Sequence, residues 1–82
     1  MRLGRMARYF FHIFNDEIVV DEEGIELPTV EAVREHALEG ARSLVCESVK
    51  KGHLNLDHRI EVTDAKNVSV LTLTFREAFT LD

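Results

Sequence analysis

The sequence predicts an α+β domain in ββαββ order, with a four-stranded, mainly antiparallel sheet and one long helix packed on one face of it. The first observation is the segment Val30–Lys51, in which apolar residues recur every three or four positions, as in an amphipathic helix. The second is that two short β-like runs precede this segment and two follow it: Tyr9–Phe14, Ile18–Val20, Arg59–Val62 and Val68–Phe75. The third is the length of 82 residues, which fits one domain near the lower end of what a single core can stabilise.

The run Tyr9–Phe14 is dense in aromatic and β-branched residues, which favours a strand. Side chains alternate along a strand, so this run has two mostly apolar faces: Tyr9, Phe11 and Ile13 on one, and Phe10, His12 and Phe14 on the other. A strand that is apolar on both faces is typical of the centre of a sheet. We therefore expect the first strand to pair with the third, Arg59–Val62, in the middle of the sheet.

Turn and capping residues set the bounds of the elements. Gly24 suits a positive φ in the turn after the second strand, and Ile25–Leu27 continues as a short extended piece that ends at Pro28. Thr29 is the predicted N-cap of the helix, and Gly52 is a good residue just beyond its end. Small side chains on the helix predict a close approach to the sheet: Ala37, Gly40 and Ala41.

The chain divides into three predicted parts. Residues 1–7 are expected to form a flexible N-terminal extension, residues 8–79 a single α+β domain, and residues 80–82 a C-terminal tail. The first residues lack apolar periodicity, and Met6 is an alternative to Met1 as the translation start.

The charge of the chain is negative and uneven. The formal net charge is −5, and between residues 16 and 39 Arg34 is the single cation among nine carboxylates. These are Asp16, Glu17, Asp21, Glu22, Glu23, Glu26, Glu31, Glu35 and Glu39. An acidic domain repels phosphate backbones and anionic lipid, so neither nucleic acid nor a membrane is an expected partner. The basic residues before the first strand, Arg2, Arg5 and Arg8, form too short an arm to reverse this expectation.

The cysteine content and the apolar runs predict a cytoplasmic protein. Cys46 is the only cysteine, which excludes an intramolecular disulfide and suits a reducing compartment. The apolar run Tyr9–Phe14 is too short for a signal peptide, and no run is long enough to span a bilayer.

Several side chains are candidates for chemistry, and each has a more ordinary interpretation. His53, Asp57 and His58 are of types that bind zinc, but their spacing matches no known site, and a solvated loop is the favoured interpretation. His12 is predicted to be a half-buried histidine with satisfied hydrogen bonds rather than a catalytic or pH-sensing group. The acidic turn Asp21–Glu23 is expected to be solvated rather than to bind calcium. With no glycine-rich phosphate loop, we predict no enzyme activity, no catalytic residues, no cofactor and no metal.

The first strand is the predicted interaction surface, with the residues Tyr9, Phe10, Phe11, His12 and Phe14. One helix covers one face of a sheet, which leaves the aromatic residues of the other face to a partner. We predict self-association as a homodimer, or binding to a partner protein, because this buries apolar area that a small core leaves exposed. The alternative is an antitoxin-like or nucleic-acid-binding regulator, since sheet aromatics can also stack bases.

Three motifs carry a resemblance to a known family. They are Arg8-Tyr9-Phe10-Phe11-His12, the stretch Asp21–Leu27 and the run Arg59–Asp64, with the alanine-spaced helix between the last two. With them the chain resembles a family of short uncharacterised proteins of rhizobia and related alphaproteobacteria, over nearly everything from Met6 to Phe79. The resemblance implies a small cytosolic domain with no assigned activity.

The stretch Asp21–Leu44 is also similar to the N-terminal domain of HicB-type antitoxins, which place a strand pair before an acidic, alanine-rich helix. Here Leu27-Pro28-Thr29 replaces the usual Gly-Asp-Thr at the helix start.

Overall fold

The structure, a computed structural model, describes residues 6–79 and confirms the α+β fold. The elements are β1 (Ala7–Phe14), β2 (Ile18–Val19), β3 (Ile25–Leu27), α1 (Val30–Lys50), β4 (Arg59–Thr63), β5 (Ser69–Thr74) and a 3₁₀ turn (Arg76–Ala78). The strand count is five rather than four, because Ile25–Leu27 pairs with β1 as a strand of its own. The first strand starts two residues before the predicted Tyr9. Most of the predicted N-terminal extension and the predicted tail lie outside the described residues.

The sheet is antiparallel throughout, with the strand order β2-β1-β4-β5 and with β3 also paired to β1. The predicted central pair is confirmed, because Phe11 lies opposite Val62 and Ile13 opposite Ile60 across β1 and β4. On the far side of β4, Val62 lies opposite Leu71, and the register shifts between Val62 and Thr63.

The strands β2 and β3 are two parts of one interrupted return along β1. Val19 lies opposite Ile13 and Ile25 opposite Tyr9, so the seven residues 19–25 of the return segment span the five residues 9–13 of β1. The extra residues form the turn around Asp21, where β1 loses its regular backbone partner.

The core lies between α1 and the β4–β5 half of the sheet. The helix contributes a stripe of small side chains that are fully or almost fully buried: Val33, Ala37, Ala41 and Val45. They pack on Ile60, Val62, Leu73 and Phe75 of the sheet side, and Ala78 of the 3₁₀ turn closes one end. Because alanines allow a close approach, as predicted for Ala37 and Ala41, the helix sits directly over these two strands.

The helix termini follow the predicted capping residues. The Ala32 backbone N–H donates to Thr29 Oγ1 at 3.0 Å, which makes Thr29 the N-cap. At the other end Gly52 has a φ of +90°, and the His53 N–H returns to the carbonyl of Ser48 at 3.1 Å. The helix ends at Lys50, one residue before the predicted Lys51.

Candidate functional site: the open face of the sheet

The five predicted surface residues are divided between the two faces of the sheet. Tyr9 and Phe11 face α1 and pack against the core, and the Phe11 ring meets His36 edge to face, with 4.6 Å between ring centroids. Phe10, His12 and Phe14 lie on the opposite face. The five residues therefore do not form one surface, and only the last three belong to the face away from the helix, which we call the open face.

The open face combines aromatic rings with paired charges. Register places Arg59 opposite Phe14 and Glu61 opposite His12. The guanidinium carbon of Arg59 lies 4.3 Å from the centroid of the Phe14 ring, and Arg59 Nε lies 2.6 Å from Glu61 Oε2. The ring of Phe14 is thus partly covered by a cation whose own charge is balanced by a neighbouring carboxylate.

His12 is held by hydrogen bonds at both ring nitrogens. The Asp21 backbone N–H donates to His12 Nδ1 at 3.1 Å, and His12 Nε2 lies 3.0 Å from Thr63 Oγ1. A backbone N–H can only donate, so Nδ1 is the unprotonated nitrogen and Nε2 carries the hydrogen. The prediction of a half-buried, satisfied histidine is confirmed, and neither ring nitrogen is left free to act as a base on a bound molecule.

The carboxylate of Asp21 takes the place of missing backbone acceptors. Its Oδ2 accepts from the Phe11 N–H at 3.1 Å, and its Oδ1 accepts from the N–H groups of Glu23 and Gly24 at 3.1 and 3.0 Å. Partial burial alone would raise the pKa of Asp21. The three backbone donors, led by Gly24, together with the nearby His12, outweigh that effect and lower the pKa below its ordinary value of 3.8.

Sequence reasoning interpreted the Asp21 turn only as a solvated acidic turn. The local signal that could have shown more is Asp21-x-x-Gly24, since an aspartate often accepts from N–H groups two and three residues on. The bond to Phe11 carries no such signal, because it depends on strand pairing.

No other residue can replace Gly24 unless the neighbouring atoms of β1 move. Its φ is +70°, and a Cβ placed there would lie 2.8 Å from the Tyr9 carbonyl oxygen and 2.9 Å from the Phe10 ring. The turn therefore lies directly against β1, and it covers one side of Phe10.

The candidate metal ligands of the loop before β4, His53, Asp57 and His58, have different surroundings. Asp57 Oδ1 is 3.3 Å from Arg76 NH2, while the ring of His58 packs edge to face on Phe75 and His53 is exposed. His58 Nε2 also lies 3.7 Å from Asp16 Oδ1. Across the described residues, no three side chains of the His, Cys, Asp and Glu types come together as a metal site would require.

The end of β5 carries a capping box that sequence reasoning missed. The Thr74 N–H and Oγ1 both donate to Glu77 Oε1, at 2.8 and 3.0 Å, and the Glu77 N–H donates back to Thr74 Oγ1 at 3.3 Å. These bonds from the Thr74 N–H and hydroxyl lower the pKa of Glu77, against a small effect of burial and with the help of Arg34. The pattern Thr74-x-x-Glu77 is the sequence signal for this motif.

Arg8, on the same side of β1 as Phe10, is engaged by neighbouring groups. Arg8 NH1 donates to the Glu23 carbonyl oxygen at 2.7 Å, and its NH2 lies 3.4 Å from Glu26 Oε2. Arg2 and Arg5 precede the described residues. The cationic strip that would follow a nucleic-acid backbone is therefore not formed by Arg8 and Arg59, since each is paired with a carboxylate.

The fold and this face define the protein as a small α+β domain with an open antiparallel sheet. A family model for a domain of unknown function (DUF6894) matches residues 8–76, and the chain belongs to that family. No curated protein and no solved structure shows a significant match to this chain. The bacterial origin and the likeness to HicB-type antitoxins stay predictions.

The helix α1 is charged along much of its length. Within residues 6–79, no helix is both long and apolar enough to cross a membrane.

Proposed function

We propose that this chain is a non-enzymatic interaction module of the cytoplasm that self-associates through the open face of its sheet. The observation that carries the proposal is that α1 covers one face, whereas within the described residues no helix covers the other, where the Asp21 turn reaches only one side of Phe10. Phe10 and Phe14 are half-buried there rather than sealed. A second copy laid over these rings would remove apolar area from water, at about 25 cal/mol per Å².

The charges of the open face suit a second copy of the same face. Arg59 and Glu61 lie side by side, as do Arg8 and Glu26, so each cation has a carboxylate next to it. In a two-fold dimer the same patch meets itself, and adjacent opposite charges can then match after the rotation.

The oligomeric state tests the proposal directly. We expect light scattering coupled to size exclusion to give the mass of a dimer at tens of micromolar. Phe14→Glu should yield monomers, because it removes an apolar ring from the interface and adds a like charge. Cys46→Glu, at an exposed helix position, adds the same charge away from the face and should leave the dimer intact. A monomer for the unmodified chain, or a dimer that survives Phe14→Glu, contradicts the proposal.

An antitoxin-like or nucleic-acid-binding regulator is the second candidate. The stacked pair Arg59 and Phe14 on an open sheet favours it, because such planar groups can stack bases. It predicts a salt-sensitive complex with single-stranded RNA or DNA. The absence of an electrophoretic shift at low salt would dispose of it.

A further inference from the structure

The strand β2 lies at one edge of the sheet, and among the described residues no strand pairs with its outer side. Val19 is the residue of β2 that directs its backbone groups to β1. The Phe11 N–H points towards the return segment, where it meets Asp21 Oδ2, and Ile13, two residues on, points the same way. Because Ile13 lies opposite Val19, the Val19 N–H and C=O groups are directed inward.

The peptide groups of Val19 fix the direction of the groups that share them. All peptide bonds among the described residues are trans, so the C=O and the N–H of one peptide group point in opposite directions. The Val19 N–H shares its peptide group with the Ile18 C=O, and the Val19 C=O shares its own with the Val20 N–H. The Ile18 C=O and the Val20 N–H therefore point outward, away from the sheet.

The neighbouring peptide groups complete the outward set. The Glu17 C=O accepts from the Asn15 N–H at 3.1 Å across the turn, so the Ile18 N–H on the same peptide group points outward. The Asp21 N–H donates to a histidine of β1 at 3.1 Å, so the Val20 C=O on that peptide group also points outward. Two donors and two acceptors thus face solvent, and none of them is hydrogen-bonded within residues 6–79.

The side chains at this edge are apolar and exposed. Ile18, Val19 and Val20 are 66, 48 and 59 % exposed. Proteins commonly protect a free sheet edge with charged side chains or proline, and neither occupies these three positions. Successive side chains alternate between the two faces, so an added strand would meet an apolar neighbour on each face. We call these three residues, with their outward N–H and C=O groups, the β2 edge.

Exposed carboxylates flank the β2 edge on both sides along the chain. Asp16 and Glu17 precede it, and Glu22 follows it. Within the described part of the chain, none of these three carboxylates lies within 4 Å of a lysine or arginine nitrogen. Asp16 has His58 Nε2 at 3.7 Å. An apolar centre with a carboxylate at either end is complementary to an extended segment with an apolar centre and cationic ends.

Two arginines approach this region, and each is paired with a carboxylate elsewhere. Arg8 bonds to a carbonyl oxygen of the turn, and its NH2 lies 3.4 Å from Glu26 Oε2. Arg59 stacks on the ring opposite Ile18, and its Nε lies 2.6 Å from Glu61 Oε2. Neither arginine neutralises the carboxylates that flank the β2 edge.

A second copy of this chain does not suit the β2 edge. The antiparallel pairing that uses all four outward groups places Ile18 of one copy opposite Val20 of the other. It also places Glu17 of each copy opposite Asp21 of the other, and like charges directly opposite each other are destabilising. The acidic flanks thus select against self-pairing and for a cationic strand.

We propose that the β2 edge binds an extended segment of a partner protein, which adds a strand to the sheet. The segment carries apolar residues beside the β2 edge and lysine or arginine residues on both sides, facing Glu17 and Glu22. Its backbone groups complete the ladder that Ile18 and Val20 leave open. Four backbone groups suit a short segment rather than a long strand. The proposal does not depend on self-association through the open face, because it uses the edge of the sheet rather than a face.

A synthetic peptide of alternating valine and threonine with two lysines at each end is the probe. The same peptide with glutamate in place of lysine is its control. In NMR titrations of the full chain, the lysine peptide should slow the hydrogen exchange of the Ile18 and Val20 amides, because they gain bonds to the added strand. The Val19 amide is already bonded within the sheet, so its protection should change less. The glutamate peptide should leave all three amides unchanged.

Proline tests the backbone bonds without a change of charge. Val20→Pro removes one outward N–H, keeps a small apolar side chain, and should weaken binding of the lysine peptide at least about tenfold. Val20→Thr has nearly the same shape, keeps the N–H, and should bind almost as well as the unmodified chain. Thermal unfolding by circular dichroism shows whether each variant is folded. If Val20→Pro unfolds, Ile18→Pro removes the other outward donor and decides the question, together with the exchange of the unmodified chain.

The carboxylates are tested with a matched pair of double variants. Glu17→Gln/Glu22→Gln should weaken binding at low salt and reduce its salt dependence, whereas Glu35→Gln/Glu39→Gln, the same change at exposed helix positions, should leave affinity nearly unchanged. Equal binding of the glutamate peptide, full affinity in a folded Val20→Pro variant, or no binding up to about millimolar peptide would overturn the proposal. Protection of the two edge amides that grows with the concentration of the free chain would show self-pairing and would overturn it too.

Discussion

Replacement of Asp21 by alanine should destabilise the fold more than any other single change among the acidic residues of the turn. The side chain accepts three backbone N–H groups, from Phe11, Glu23 and Gly24. No other acceptor is placed to take over the bond from Phe11, because the register of the return strand skips this position. Without the Asp21 carboxylate, the turn between β2 and β3 is therefore no longer bonded to the Phe11 N–H of β1.

The size of the effect follows from what each N–H loses. The partly buried Phe11 N–H is left unpaired, at a cost of about 1–3 kcal/mol, and the two donors nearer the surface lose bonds to a charged acceptor that water replaces in part. We expect a total of about 2–4 kcal/mol for Asp21→Ala. Asp21→Asn keeps one acceptor oxygen and should lose roughly half as much. For 82 residues the whole free energy of unfolding is about 4–12 kcal/mol, so the change is a large share of it.

Urea denaturation at neutral pH measures this difference, with Glu22→Ala as the matched control at the adjacent exposed carboxylate. Acid titration of stability gives a second measurement. The pKa of Asp21 is lowered in the folded state, so its contribution is present above the ordinary pKa of 3.8 and is lost as the pH falls through the folded value. In Asp21→Asn this part of the acid dependence should disappear. Equal stability of Asp21→Ala and Glu22→Ala would refute the assignment of Asp21 as the acceptor that joins the turn to β1.

Substitutions at three further positions test local features of the fold by thermal unfolding. Gly24→Ala should destabilise the protein by at least about 2 kcal/mol, because it combines a positive φ with a Cβ 2.8 Å from the Tyr9 oxygen. Gly52→Ala is the comparison. It has a φ of +90° but no atom within 4 Å of the added Cβ, so only the backbone strain of about 1–2 kcal/mol applies, and equal losses at the two positions would contradict the close contact at Gly24. Thr29→Ala should cost about 1 kcal/mol through the lost N-cap, and Thr29→Ser should restore most of it.

Periodic features of the fold were predictable because they are local. The spacing of apolar residues places α1 to within one residue at its end, since burial of the stripe from Val33 to Val45 requires that period. The aromatic density of Tyr9–Phe14 identifies the central strand, because a strand that is apolar on both faces is stable only between neighbours.

Features that depend on register were not predictable in the same way. The return segment contains two residues more than the part of β1 that it pairs with. This offset makes β3 a separate strand and leaves the Asp21 carboxylate to accept the Phe11 N–H of β1. The sequence pattern shows alternation within each run but not the pairing of one run with another. The same limit explains why the predicted surface included Tyr9 and Phe11, although the helix takes that side of the sheet.

The position of the N–H hydrogen on the His12 ring gives a sensitive test of this cross-strand register. The bond from the Asp21 N–H requires a lone pair on Nδ1, so we expect the neutral ring to carry its hydrogen on Nε2 and to donate it to Thr63 Oγ1. Nitrogen NMR of the imidazole at neutral pH should therefore show a pyridine-type Nδ1 and a pyrrole-type Nε2. Thr63→Val removes the acceptor of Nε2 while leaving the Asp21 bond, and should keep the same tautomer. A ring with its hydrogen on Nδ1 cannot accept from the Asp21 backbone, and that result would mean that the turn does not dock on β1 at this position.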